Sequence, residues 1–156
     1  GIIYFMKIMF VCLGNICRSA MAEFMMKDAL KKRGISEKYV IDSAATCGLE
    51  AGNPVYPDAL KKLKEHDVPT YPHYSKQVRK TDYDKYDLFL GMDDKNVAYL
   101  KNLFAPDEKK KVKKFLEYAG QSRDVADPYY TGNFDDTYDD LKIGIEFLIN
   151  NIENRK

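Results

Sequence analysis

The feature that most restricts what this chain can fold into is a change of periodicity around Cys12. Lys7 to Val11 (K-I-M-F-V) is a short, nearly unbroken apolar run, the pattern of a parallel strand buried on both faces. It ends on Cys12. From Ala22 onward the apolar residues Ala22, Met25, Met26, Ala29 and Leu30 recur at helical spacing. That helix closes on Lys31, Lys32 and Arg33 followed by Gly34, basic side chains and a glycine where dipole and backbone favour them. The alternation continues. Tyr39 to Ala44 reads as a second strand, Pro57 to His66 as a proline-opened helix and Asp87 to Met92 as a third strand. Asp93 and Asp94 then cap a helix to about Leu103, and Val112 to Leu116 reads as a fourth strand. A last helix carries Tyr138, Leu141, Ile145, Leu148, Ile149 and Ile152 on one stripe. Strands alternating with helices predict an α/β fold with a parallel sheet covered on both faces. Such sheets bind ligands beyond the carboxyl ends of their strands.

Several function classes are disfavoured at this level. The 156 residues, without repeat or linker, fit a single domain. Residues 1–5 precede a Met-Lys pair that resembles a natural start, so they are set aside as a cloning remnant or upstream extension, leaving 6–156 as the domain. A net charge of +1 gives no reason to expect a nucleic-acid or membrane partner. The lysines at 109, 110, 111, 113 and 114 read as a solvated edge. No apolar run approaches a membrane span and no secretory pattern opens the chain. Three cysteines do not suggest a disulfide framework, which makes a reducing cytoplasm the expected compartment. Cys12, Cys17, Cys47, His66 and His73 match no zinc spacing, so no metal site is expected.

The segment between first strand and first helix, Cys12-Leu13-Gly14-Asn15-Ile16-Cys17-Arg18-Ser19, carries the unusual chemistry. Gly14 and Asn15 tolerate left-handed backbone, so the loop can curl with its N–H groups inward. The following helix adds its own free N–H groups and positive dipole end. The result is a cup for a tetrahedral dianion, open to inorganic phosphate or sulfate. It lacks the Lys-Ser/Thr ending of a nucleotide-binding loop. A cysteine at its base gains from the same dipoles, which stabilise a thiolate. Ser19 is placed to donate to the sulfur. Arg18 can grip two phosphoryl oxygens bidentately, as lysine cannot. A lone cysteine at a strand end would be core filling; this setting favours a nucleophile.

With those residues in view, V-C-L-G-N-I-C-R-S followed by A-M-A-E resembles the active-site loop of the low-molecular-weight protein tyrosine phosphatases. The likeness continues through Asp42-Ser43-Ala44-Ala45-Thr46, Gly52-Asn53-Pro54, Met92-Asp93 and Asp127-Pro128-Tyr129-Tyr130. The resemblance implies a three-layer αβα fold with a four-stranded parallel sheet in the order 2-1-3-4. It implies hydrolysis of phosphotyrosine in proteins through a phosphocysteine, with no metal or organic cofactor, by a monomer whose substrates include tyrosine-phosphorylated proteins such as tyrosine kinases. Cys12 then becomes the nucleophile and Arg18 the phosphate clamp. Asp127, on a mobile loop, becomes the general acid, a choice that chemistry alone could not make among 24 acidic residues. Asn15, Ser43 and His73 correspond to the network that supports the loop, and Asp93 to an acid beside it that also suits helix capping. Leu13, Ile16, Leu49, Tyr129 and Tyr130 correspond to the pocket wall. Cys17 corresponds to a second cysteine able to form a reversible disulfide with the nucleophile. Three positions depart from the pattern: Leu49 replaces a frequent aromatic, Ala20 a frequent proline, and the wording around His73 is unusual.

Three other activities share this kind of loop. An arsenate reductase relays oxidation through two further cysteines near the third strand, where Thr81 to Leu103 has none. Protein-arginine phosphatases carry a threonine at the position of Ile16 and lack the double tyrosine. A phosphocysteine carrier needs neither the arginine clamp nor an acid for the leaving group.

Overall fold

The computed structural model describes residues 5–154. Among these, four strands, β1 (Met6–Cys12), β2 (Tyr39–Ala45), β3 (Leu88–Gly91) and β4 (Val112–Lys114), form one parallel sheet in the order β2-β1-β3-β4. The helices are α1 (Arg18–Lys32), α2 (Pro57–Glu65), α3 (Asp94–Leu103), the single-turn α4 (Pro128–Thr131) and α5 (Phe134–Glu153). This is the expected topology. No helix among the described residues is long and apolar enough to cross a membrane.

Strand parity decides where the reactive end of β1 points. Ile8, Phe10 and Cys12 face one core, shared with Met21, Met26 and Leu30 of α1 and Leu141, Leu148 and Ile152 of α5. Met9 and Val11 face a second core with Phe89, Leu100 and Phe104 on the α3 side. Both faces of the sheet are thus dry, which is why its strands read as apolar runs rather than alternations. Cys12 emerges at the carboxyl end of a central strand, on the α1 and α5 side.

The differences from the expected elements have local causes. α1 begins at Arg18, a turn before the periodic pattern starts, because its first turn is buried all round and shows no polar face. β4 stops at Lys114, and Phe115–Ala119 turn as a 3-10 helix ended by left-handed Gly120. That turn sends Phe115 and Leu116 both into the core, which a strand, alternating its faces, could not do. The lysine run is only partly a solvated edge. Lys109, Lys110 and Lys113 are exposed, but Lys111 and Lys114 are buried. The Lys111 ammonium donates to the Tyr83 carbonyl at 2.6 Å and sits 4.5 Å from the Tyr83 ring centroid. Of the five residues set aside at the start, 1–4 lie outside the described residues. Phe5 does pack with the domain: its N–H donates to the Lys38 carbonyl at 2.7 Å and its ring meets Tyr39 edge-on.

Phe115 also explains a glycine inside α5. A Cβ on Gly144 would lie 2.3 Å from Phe115 Cε2 and 2.4 Å from Cζ. The Phe115 ring cannot retreat, being packed edge-on against Phe10 with centroids 5.5 Å apart. Helix propensity alone would make Gly144→Ala stabilising by about 1 kcal/mol. We expect instead a net loss of about 1–3 kcal/mol from overpacking, read as a lower urea midpoint at unchanged slope.

Candidate active site

The loop from Cys12 to Arg18 is shaped by what its carbonyls do. Those of Cys12 and Leu13 accept from the N–H groups of Thr46 and Cys47 at 2.9 and 3.0 Å. The Gly14 carbonyl accepts from Ser75 Oγ at 2.7 Å, and that of Ile16 from the Tyr56 N–H at 2.9 Å. The Cys17 carbonyl begins α1 by accepting from Met21. With carbonyls engaged outward, amides turn inward. The N–H groups of Asn15 and Ser19 point at Cys12 Sγ at 3.2 and 3.5 Å, and Ser19 Oγ lies 3.0 Å from the same sulfur.

Of the two residues expected to bend the loop, Asn15 takes the left-handed backbone (φ 57°) and Gly14 does not. The buried Asn15 side chain holds this strained residue in place. Its Nδ2 donates to Ser19 Oγ at 2.7 Å and to Ser43 Oγ at 3.0 Å, and its Oδ1 accepts from His73 Nε2 at 3.1 Å. Because the Ser19 oxygen is occupied as an acceptor, its hydrogen is left for the sulfur, which is closer than its other acceptor, the Ala44 carbonyl at 3.5 Å. Asn15, Ser19, Ser43 and His73, expected as loop support, therefore meet in one network.

Further members of this network were not foreseen. Ser43 Oγ donates to Glu23 Oε1 at 2.7 Å, and His73 Nδ1 lies 3.7 Å from the same oxygen. Glu23 is buried in α1 and also accepts from the Tyr71 hydroxyl and from Lys27 Nζ. Burial, followed by that bond to Glu23, pushes the Tyr71 phenol well above its usual range, so it remains a donor. Glu23 stands one helical turn after Ser19 on an apolar face, a signal that could have been read; Tyr71 offered none. Ser75, which holds the Gly14 carbonyl, was not foreseen either.

Arg18 opens α1 and is almost fully buried. Its Nη1 donates to the Val125 carbonyl at 3.2 Å, and its Nη2 to Asp93 Oδ2 at 2.9 Å and Asp127 Oδ2 at 3.2 Å. Asp93 makes two contacts at once. Its second oxygen, Oδ1, caps α3 by accepting from the Asn96 N–H at 2.7 Å. Asp127 is divided in the same way, with Oδ1 accepting from the Tyr129 N–H at 3.0 Å to cap α4.

Loop, Arg18 and Asp127 line one cleft of about 720 Å³. Its mouth is formed by Leu13, Leu49, Tyr129 and Tyr130, the last three 88%, 85% and 79% exposed. Large apolar side chains left in water around a polar floor are what an aromatic ligand would cover. Ile16 and Cys17 line the inner wall. The wall also includes Cys47, Glu50, Asp58 and the stacked rings of Tyr56 and Phe134, none of them foreseen. The Cys17 thiol is pushed up to about 12, first by burial and then by the negative charge of Cys12 and Asp127. At neutral pH it is therefore a protonated wall residue. Among the described residues, no group of three or more His, Cys, Asp or Glu is arranged to hold a metal ion; His66 instead stacks on Tyr138.

Comparison with known proteins agrees with this geometry. A sequence model described as low molecular weight phosphotyrosine protein phosphatase matches residues 7–156. The chain is 36% identical over 152 residues to the low molecular weight protein-tyrosine-phosphatase YfkJ of Bacillus subtilis, covering 96% of this chain and 97% of that protein. It is 38% identical over 144 residues to PtpA of Staphylococcus aureus, a protein of the same description, covering 92% and 91%. The crystal structure of YfkJ superimposes with a TM-score of 0.93 over 100% of this chain and 98% of that one, at 35% identity. A Drosophila arginine phosphatase is also similar, with a TM-score of 0.86 over 94% and 97% at 26% identity.

Proposed function

The chain belongs to the low molecular weight phosphotyrosine protein phosphatase family, and from that premise we infer that it hydrolyses phosphotyrosine in proteins through a phosphocysteine on Cys12. The observation that carries the reading is the set of donors on one sulfur: Ser19 Oγ, Asn15 N–H and Ser19 N–H, at 3.0, 3.2 and 3.5 Å. A cysteine that merely filled the core would collect no such set, whereas a thiolate requires it.

The chemistry runs in two steps. The Cys12 thiolate attacks phosphorus as the bond to the tyrosyl oxygen breaks, and Asp127 gives that oxygen its proton. The loop amides and the Arg18 guanidinium hold the equatorial oxygens as charge spreads over them. Asp127, now a carboxylate, takes a proton from water, whose oxygen attacks phosphorus and expels the thiolate with inorganic phosphate. Tyr129 and Tyr130, ring centroids 5.1 Å apart and edge to face, give the departing phenol an aromatic wall. Asn15, Ser43, His73 and Asp93 keep loop and arginine in register. The substrates of this reading are tyrosine-phosphorylated proteins, tyrosine kinases among them, met in the cytoplasm.

The alternative with structural support is an arginine phosphatase, given the Drosophila relative. Ile16, bulkier than threonine, narrows the inner wall here and favours a flat aryl ester. Side-by-side rates decide between them. With a chelator present, we expect continuous hydrolysis of para-nitrophenyl phosphate, and kcat/KM for a phosphotyrosine peptide at least about tenfold above that for phosphoarginine. The reverse ratio would overturn the substrate assignment. Stoichiometric labelling without turnover would mark a carrier, and robust thioredoxin-coupled arsenate turnover a reductase.

A further inference from the structure

Ala126 stands immediately before Asp127, and side chains of α5 hold both of its backbone polar groups. Its N–H donates to Asp140 Oδ2 at 2.9 Å, and its carbonyl accepts from Thr137 Oγ1 at 2.7 Å. The first bond fixes the peptide plane before Ala126 and the second the plane between Ala126 and Asp127. Together they set the φ and ψ of Ala126, and with them the position of the Asp127 Cα and the direction of the N–Cα bond from which its side chain branches. Thr137 and Asp140 are three residues apart, neighbours on one helix face. Thr137 is fully buried and Asp140 only 8% exposed. Neither lines the cleft.

The rest of the segment is tethered in the same manner. The Val125 N–H donates to the Met92 carbonyl at 2.9 Å, and the Val125 carbonyl accepts from Arg18. Asp140 Oδ1 accepts from Arg123 Nη2 at 2.8 Å. From the end of β4, the buried Lys114 ammonium donates to the Ser122 carbonyl and pairs with Asp124 and Asp94 at 2.8 and 2.9 Å. A carboxylate buried in a helix is costly unless its bonds recover the desolvation. Here both oxygens of Asp140 are committed to the strip of chain that presents Asp127.

We propose that Thr137 and Asp140 are positioning residues for the proton transfer, aiming the Asp127 carboxyl at the leaving oxygen through the two peptide planes of Ala126. The inference rests on Asp127 being the acid. Misaiming an acid slows esters with poor leaving groups and spares those whose leaving group needs no proton, whereas general loosening of the site slows both.

The experiment is kcat/KM on phenyl phosphate and on dinitrophenyl phosphate for Thr137→Val, Asp140→Ala and Asp127→Ala. Relative to the wild type, we expect Asp140→Ala to lose about tenfold and Thr137→Val about threefold on phenyl phosphate, each losing less than about twofold on the dinitrophenyl ester. Thr137→Ser, which keeps the hydroxyl, should restore the wild-type ratio. Equal losses on both esters, or none in either variant, would overturn the proposal. Should Asp140→Ala not fold, the near-isosteric Thr137→Val makes the same comparison by itself. Asp127→Ala separates the two levels: it should lose about a hundredfold on phenyl phosphate. If it too fell equally on both esters, the acid assignment would fail and the tether with it.

Discussion

Replacing Cys12 by serine is expected to abolish turnover while leaving the loop able to hold phosphate. The donors around Sγ favour an anion on sulfur, but the same donors cannot ionise an aliphatic hydroxyl, whose proton is held far more tightly than that of a thiol. Serine therefore sits at the base of the cup as a neutral group with no general base in contact with it. Deleting a nucleophile from a constellation that acts as a unit typically costs more than about 10⁴-fold, and we expect a loss of at least that size on para-nitrophenyl phosphate. Phosphate binding should move the other way. A thiolate repels an incoming dianion, whereas the serine variant keeps the inward amides and Arg18 without that repulsion. Calorimetric titration with inorganic phosphate should give a Kd equal to or below that of the wild type. Turnover within about a hundredfold of the wild type would exclude Cys12 as the nucleophile, and loss of phosphate affinity would show that the sulfur instead shapes the cup.

Legibility differed between the sheet and the charges buried around it. The strand that delivers Cys12 was readable because both faces of the sheet are dry, so Lys7 to Val11 appears as a run. The Asp93 cap was readable because capping is local, three residues from donor to acceptor. The start of α1 at Arg18 was invisible to periodicity, since a helical turn buried on every side shows no amphipathic period, and was legible to within a residue only from the loop motif, whose serine opens the helix. Lys114, Asp140 and Glu23 were missed for another reason. A charged residue is by default placed in water, and each of these is buried because its partners arrive from elsewhere in the chain. Tyr71, for example, reaches Glu23 from 48 residues away. The cleft mouth inverts the rule. Leu49, Tyr129 and Tyr130 are residues that hydropathy would hide, yet they are exposed, and only the resemblance to a family assigned them to a wall.

Arg18→Lys tests whether the clamp works by charge or by shape. If charge alone mattered, a lysine ammonium in the same cleft would keep most of the rate. The bonding around Arg18 argues for shape. Its two terminal nitrogens serve three acceptors on two different segments: the Val125 carbonyl and Asp127 on the acid-bearing strip, and Asp93 at the head of α3. A single ammonium nitrogen cannot span them, nor offer the planar fork that two equatorial phosphoryl oxygens require. Lysine would satisfy one carboxylate, leave the other without its partner beside the incoming dianion, and release the Val125 carbonyl that helps to hold the acid. Both effects fall on the transition state, where charge on the phosphoryl oxygens must be matched by donors already in place. We therefore expect kcat/KM on para-nitrophenyl phosphate to drop about a thousandfold, with much of the loss in kcat rather than in KM. The neutral reagent iodoacetamide should still alkylate Cys12 within about threefold of the wild-type rate, because the donors on its sulfur come from Asn15 and Ser19. A loss below about tenfold would reduce Arg18 to a general positive charge. If alkylation of Cys12 collapsed as well, the arginine would be holding the cup together rather than gripping what enters it.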